Sequence, residues 1–307
     1  MYYRKWISLL SAVLICLTGC ANWYGGEKQD GKLHIVATTT MLADLARELG
    51  GEHVEVTGLM GPGIDPHLYQ ASAGDVIKMQ NADLVIYNGV HLEGKMGDVF
   101  QSLELRGIAV VCAGDALEKE DLLNSGSGAF DPHIWFDVQL WKKVAQELTN
   151  GMKTAAPQYS EEFEFHFRTY SAELDRLHED IKAQAEKVPT GQRVLITAHD
   201  AFGYFGRAYG FTVKGLQGIS TSSEAGTLDV SNLAKYIAEH KIKAIFVESS
   251  VPPRTVEALQ AAVRARGQEV SVGGELYSDS LGGAESGAES YVQTVRANVN
   301  TIIKALE

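Results

Sequence analysis

The chain is predicted to be an α/β protein of two lobes, each with mainly parallel sheet, linked by one long helix. Short β-rich apolar runs alternate with helical patterns, as expected of parallel strands joined by crossover helices. That rhythm occurs twice, before and after the middle of the chain. Between the two occurrences, Phe163, Phe167, Tyr170, Leu174, Leu177, Ile181, Ala185 and Val188 fall at steps of three or four, one face of a single helix. With 307 residues, 45% of them hydrophobic and 21% charged, the chain can bury more than one core and is not of disordered composition.

The first residues read as a leader rather than as fold. Arg4 and Lys5 precede the apolar run 6–17, which is too short to span a bilayer as a permanent helix. It closes in Leu17-Thr18-Gly19-Cys20, which resembles the lipobox of bacterial lipoproteins and marks Cys20 as the lipidation site, with 1–19 as signal peptide. Polar, Gly-containing residues then form a tether, so that 20–32 is the lipidated linker to the fold. With Cys16 removed and Cys20 lipidated, Cys112 alone of the three cysteines stays in the fold and no intrachain disulfide forms. Its place in Ile108-Ala109-Val110-Val111-Cys112 reads as a small buried hydrophobe.

The first lobe is assigned to 33–157, with strands over 33–37, 54–59, 84–87 and 108–111. Helices cover 41–49, ended by Gly50-Gly51, and 71–81. The linking segment is 158–189. Ser160 reads as the N-cap, Glu161 and Glu162 suit the first turn, and Pro189 and Gly191 stop a helix over 161–188, about 42 Å at 1.5 Å per residue. The second lobe, 190–307, has strands over 194–197, near 211–213, 244–247 and 269–272, with helices after a capping Asp229 and after Thr255.

Charge narrows the function. Twenty-seven Lys and Arg against 39 Asp and Glu give a formal charge of −12, which excludes a phosphate-rich partner such as nucleic acid and suits cations. No His-Glu-x-x-His, P-loop or Gly-x-Ser-x-Gly motif occurs. What recurs is Asp-Pro-His, at Asp65-Pro66-His67 and Asp131-Pro132-His133, where the proline stiffens the backbone that presents an imidazole. His199 in Thr197-Ala198-His199-Asp200 and Asp279 in Tyr277-Ser278-Asp279-Ser280 each follow a second-lobe strand. In open α/β sheets the carboxyl ends of strands form the binding crevice, so two ligands per lobe close a cleft. Three imidazoles and a carboxylate match a borderline divalent ion such as zinc or manganese. The other histidines read as ordinary: His53 and His240 at helix ends, His34 within a strand, His166 and His178 too far apart on the long helix to share an ion. His91, following a strand, is the alternative candidate.

These segments resemble the metal-binding lipoproteins of bacterial ABC transporters for zinc and manganese, most closely the TroA-like proteins. The carriers are Ile64-Asp65-Pro66-His67, Asp131-Pro132-His133-Ile134-Trp135, His199-Asp200-Ala201-Phe202-Gly203-Tyr204-Phe205, Gly215-Leu216-Gln217-Gly218, Phe246-Val247-Glu248-Ser249-Ser250 and Gly274-Glu275-Leu276-Tyr277-Ser278-Asp279, and they span essentially all of the mature chain. The resemblance implies pseudo-symmetric lobes on a rigid helix, a periplasmic-binding-protein-like architecture. It also implies that His67, His133, His199 and Asp279 bind one divalent transition metal as cargo, Zn2+ or Mn2+ with Fe2+ as a third option. It implies a lipid-anchored, monomeric receptor on the extracytoplasmic side of the membrane that hands its ion to an ABC permease, and no enzyme.

Two departures bear on the metal. Zinc-uptake relatives commonly carry a long His- and acid-rich loop before the second ligand, whereas 115–130 here is short and lacks His. Many manganese relatives have Glu as third ligand, where this chain has His199. Three imidazoles favour zinc in the Irving–Williams order, and a bidentate Asp279 would raise coordination toward what manganese prefers. A ligating His donates its other ring N–H to a carboxylate or carbonyl; Glu248 is the candidate for that role, while Asp65 and Asp131 read chiefly as turn chemistry. The competing functions are a zinc hydrolase, which would need an open coordination position, and a surface adhesin.

Overall fold

A computed structural model of the chain describes residues 31–125 and 128–307. The signal peptide read over 1–19, the Cys20 lipidation site and the tether up to residue 30 lie outside the described residues. Strands β1 (Leu33–Ala37), β2 (Val54–Gly58), β3 (Leu84–Tyr87) and β4 (Ala109–Cys112) form one parallel sheet in the order β2-β1-β3-β4. Parallel sheets are covered on both faces, and Leu84, Val85 and Ile86 are accordingly all buried. The helices α1 (Thr40–Gly50), α2 (Ala73–Gln80) and α3 (Gly97–Leu105) connect the strands. Thr39 caps α1 by accepting the Leu42 N–H, and Gly51 at φ 54° ends it, as the Gly50-Gly51 pair predicts.

Helix α4 (Val138–Ala155) leads to the long α5 (Ser160–Ala185), and the second lobe follows: β5 (Val194–His199), α6 (Gly203–Tyr209), β6 (Thr212–Gln217), α7 (Thr227–Glu239), β7 (Ala244–Glu248), α8 (Arg254–Arg264), β8 (Ser271–Leu276) and α9 (Tyr291–Leu306). β5 pairs in parallel with β6, β7 pairs in parallel with β8, and β5 lies beside β7. β6-β5 and β7-β8 are two separate two-stranded sheets, and with β5 beside β7 the strands lie in the order β6-β5-β7-β8, the order that the first lobe's continuous sheet shows.

The apolar face read along the long helix is the buried face of α5, from Phe163 through Ala185. It joins one continuous core with Leu42 and Leu45 of α1, Trp141 and Leu148 of α4, and Val299 and Ile302 of α9. Each large side chain buried there contributes about 1.5–3 kcal/mol, so the linker is an integral part of the core on which both lobes rest.

Several boundaries differ from the sequence reading, for local reasons. Ser160 lies inside α5, its hydroxyl donating to the Pro157 carbonyl, and Tyr159 takes the cap position with no side-chain bond. The helix stops at Ala185 because the N–H groups of Lys187 and Val188 tighten onto Gln184 and Ala185, ahead of Pro189, which disfavours helical geometry in the residue before it. Asp229 is the third residue of α7 and accepts the Gly226 N–H from within the helix instead of capping it. β8 extends beyond the predicted run, through Gly273 and Gly274. Those glycines hid the strand: a Cβ at Gly273 would stand 2.8 Å from both Ala305 and the Phe246 ring, and Gly274 has φ 144°. Cys112 is half-buried rather than buried, and burial pushes its thiol up to about 11.

Candidate metal centre

His67, His133, His199 and Asp279 come together, each offering one ligand atom, all within 4.8 Å of one another. They reach this point from the carboxyl ends of strands in both lobes. His67 follows β2 in a turn closed by its own N–H, which donates to Asp65 Oδ1 at 2.8 Å. His133 uses the same turn, its N–H donating to Asp131 Oδ1 at 2.9 Å. His199 is the last residue of β5 and Asp279 lies three residues past the end of β8.

Two of the rings are oriented by carboxylates. Asp131 Oδ1 also lies 2.7 Å from His133 Nδ1, so this aspartate does more than shape the turn and acts on the ring itself. Glu248, at the end of β7, accepts the His199 N–H at 2.9 Å on one oxygen and takes Nδ1–H at 2.5 Å on the other. Each carboxylate places the ring proton on Nδ1 and leaves the Nε2 lone pair facing inward. For His67, Asp65 holds the backbone only, and its other oxygen accepts from Thr221.

The inward spacings fit a small ion. His67 Nε2 and His199 Nε2 each lie 3.3 Å from His133 Nε2. Asp279 Oδ1 is 3.5 Å from His133 Nε2, and Oδ2 is 3.4 Å from His199 Nε2. Ligands about 2.0–2.1 Å from a tetrahedral ion stand about 3.3 Å apart along each edge. Asp279 Oδ1 is a buried oxygen with no hydrogen-bond partner among the described residues, a state that costs free energy unless a cation or donor meets it. All four residues are buried, His67 at 7% exposure being the most open.

The charges lean on one another. Burial raises the Asp279 carboxyl, but His199 and His133 outweigh it and hold it well below the usual carboxylate range. Burial lowers His133, and Asp131 and Asp279 reverse this to about 9; His199 is raised in the same manner by Glu248 and Asp279. His67 has no carboxylate on its ring, and burial takes it down to about 3. The cluster suits positive charge, and a divalent ion takes the place of the protons that the His133 and His199 rings would otherwise hold.

The remaining histidines stand elsewhere. His91 is exposed, at φ 65°, and lines a separate cavity with Tyr87 and Asp98. His53 stacks on Tyr159, His240 on Tyr236, His166 meets the Leu49 carbonyl and His178 the Tyr209 hydroxyl. Sequence reasoning missed Ser250, whose hydroxyl reaches Asp279 Oδ2 at 3.3 Å, and Gly203, where a Cβ would stand 2.8 Å from Asp131 Oδ2. The first carries no pattern of its own; the second is a glycine opening a helix, which a close approach explains.

Comparison with known proteins places the chain among metal-binding proteins. The chain matches the family described as zinc-uptake complex component A, periplasmic, over residues 35–305. It is 46% identical to the zinc-binding protein TroA of Treponema pallidum, covering 99% of each chain. It is 44% identical to the manganese-binding lipoprotein MntA of Bacillus subtilis, over 97% of this chain and 99% of that one. Among solved structures, the periplasmic zinc-binding TroA of Treponema pallidum superposes with a TM-score of 0.87 at 47% identity, over 90% of this chain and 99% of its own. These relatives are named for the metals they bind, and the chain belongs to the family of periplasmic component A of zinc-uptake complexes.

Proposed function

We propose that the protein captures one divalent transition metal outside the cytoplasmic membrane and delivers it to an ABC permease, with His67, His133, His199 and Asp279 as the ligands. The carrying observation is the buried cluster of four ligand atoms drawn from both lobes. Capture exchanges the ion's hydration for three imidazoles and a carboxylate, with no bond made or broken in the protein, and release requires the lobes to part. The functional bodies are the lobes 33–157 and 190–307, with 158–189 between them. Cys20 is the anchor that keeps the receptor beside its permease, as in relatives named lipoproteins. Glu248 supports His199 without touching the ion.

Zinc and manganese are both candidates, being the ions named for TroA and MntA, and iron(II) shares their ligand preferences. Three imidazoles at tetrahedral spacing favour zinc on intrinsic affinity, while both Asp279 oxygens face imidazole nitrogens, which leaves a fifth bond open to manganese. The test is competitive titration of the metal-stripped chain from Ala21 with zinc and manganese, beside His199→Ala. One site that collapses in the variant is expected, and the zinc-to-manganese ratio ranks the cargo. Binding that survives His199→Ala unchanged would dismiss the four-ligand site.

A further inference from the structure

Beside the site, where the Gly63 N–H also donates to Ser280 Oγ at 2.8 Å, one contact between the lobes joins a ligand-bearing loop to a solvent-facing one and coordinates nothing. Asp65 sits two residues before His67, and its two oxygens face in different directions. Oδ1 accepts the His67 N–H at 2.8 Å, fixing the loop that carries this ligand. Oδ2 accepts the Thr221 hydroxyl at 2.5 Å from the other lobe. Thr221 lies between β6 and α7, in a loop whose other residues from Gly218 to Gly226 are half-buried or exposed, yet Thr221 itself is 9% exposed. A short polar side chain packed inward from a solvent-facing loop signals a contact that holds the loop down. The two residues are 156 positions apart and belong to opposite walls of the cleft.

We propose that Asp65 and Thr221 form a latch that sets how long the receptor keeps its metal; the inference rests on the receptor reading above. Release needs the walls to separate, and separation breaks this hydrogen bond to a charged acceptor, among the stronger kinds. Capture from the open state forms the bond only after the ion is seated. The latch therefore acts on dissociation and not on association. Because the same carboxylate holds the His67 backbone, losing its partner across the cleft also loosens the loop of the most exposed ligand. A bond to a hydroxyl, without a cation, keeps the closure strong enough to retain the ion and weak enough to reopen.

The experiment measures zinc release into excess chelator by stopped flow, and zinc association separately, for the wild-type chain from Ala21, Thr221→Val, Asp65→Asn, the double variant, and Ser222→Ala as an exposed control. Thr221→Val keeps the side-chain shape and removes the donor. It is expected to raise the release rate about tenfold, with association and the thermal midpoint of the metal-free protein unchanged. The double variant is expected to release no faster than the faster single variant, since both act on one interaction, Asp65→Asn leaving at most an amide N–H donating to the Thr221 hydroxyl. Release by Thr221→Val at the wild-type rate, or a loss of association instead, would overturn the latch. A wild-type chain that takes up neither zinc nor manganese would overturn the receptor reading itself, so the two failures are distinct.

Discussion

The two lobes repeat one strand order, and each places a buried carboxylate beside the end of its first strand. In the first lobe Thr38, just past β1, donates its hydroxyl to Glu93 Oε1 at 2.7 Å, and Glu93 also accepts the N–H groups of Asn88 and Gly89. In the second lobe His199 ends β5, and Glu248 accepts both its backbone and ring N–H. Glu93 and Glu248 are both buried, at 4% and 3% exposure. One of them closes a loop on itself and the other orients the His199 ring. The sheet edge supplies the same device twice, and the side chain at the strand's end decides whether it becomes metal chemistry.

The sharpest way to break this comparison is Glu248→Gln. Glutamine keeps one acceptor and presents an N–H to the other His199 donor, so the backbone and the ring are no longer both held. Metal affinity is expected to fall about 10–100-fold, the usual cost of losing such a ring partner, with the fold intact by circular dichroism. Unchanged affinity would mean that His199 is held by its strand alone. Gly203→Ala tests the matching carboxylate in the other lobe from a distance. Its Cβ would stand 2.8 Å from Asp131 Oδ2, and Asp131 is pinned by the N–H and ring of His133. A fall of about tenfold is expected by calorimetry, against none for Gly218→Ala, where a Cβ meets nothing within 4 Å.

Glu93→Gln should separate the lobes' roles. Here the carboxylate serves Thr38, Asn88 and Gly89 and no ligand ring, so the expected loss is in stability, about 1 kcal/mol by denaturant unfolding, with metal affinity retained. A drop in affinity equal to that of Glu248→Gln would show that the two carboxylates act alike after all.

How far the sequence carried this reading depends on the range of each interaction. The strands of the first lobe and the buried face of α5 were legible because apolar periodicity is local. The four converging residues were legible because strand-end loops meet in this fold class, and Glu248 because a ligating His needs a partner. Asp131 was read as turn chemistry, and the identical Asp65-Pro66-His67 shows why. Both aspartates accept the N–H of their histidine, at 2.8 and 2.9 Å, and that much is encoded in the tripeptide. What else each carboxylate meets is set by burial: Asp131, 3% exposed, turns onto its own ring, whereas Asp65 reaches Thr221. The glycine pair in β8 escaped for the converse reason, since only tertiary crowding explains a glycine inside a strand.

The smallest expected effect concerns the joint between the lobes on the helical side. Asp44 on α1 accepts the Tyr291 N–H at the start of α9 at 2.8 Å, a favourable place for an anion at a helix N-terminus. Burial nevertheless raises its carboxyl to about 6; Glu48 and Glu173 push the same way, against the Tyr291 bond and Arg47. Tyr170, on α5, also lies in its field. A carboxyl raised in the folded state binds its proton more tightly there than in the unfolded chain. Stability therefore falls as pH rises from about 4 to about 6, and the cost is fully present above that window. Asp44→Asn keeps an acceptor for the Tyr291 N–H and removes the charge. It is expected to stabilise the protein at pH 7 by about 0.5–1 kcal/mol, below the roughly 1.36 kcal/mol per unit that an unscreened shift would give. The gain should vanish at pH 4, by thermal unfolding at both values. A loss of stability at pH 7 would mean that the charge on the α9 terminus outweighs its desolvation, and that the lobes are joined there by an anion rather than in spite of one.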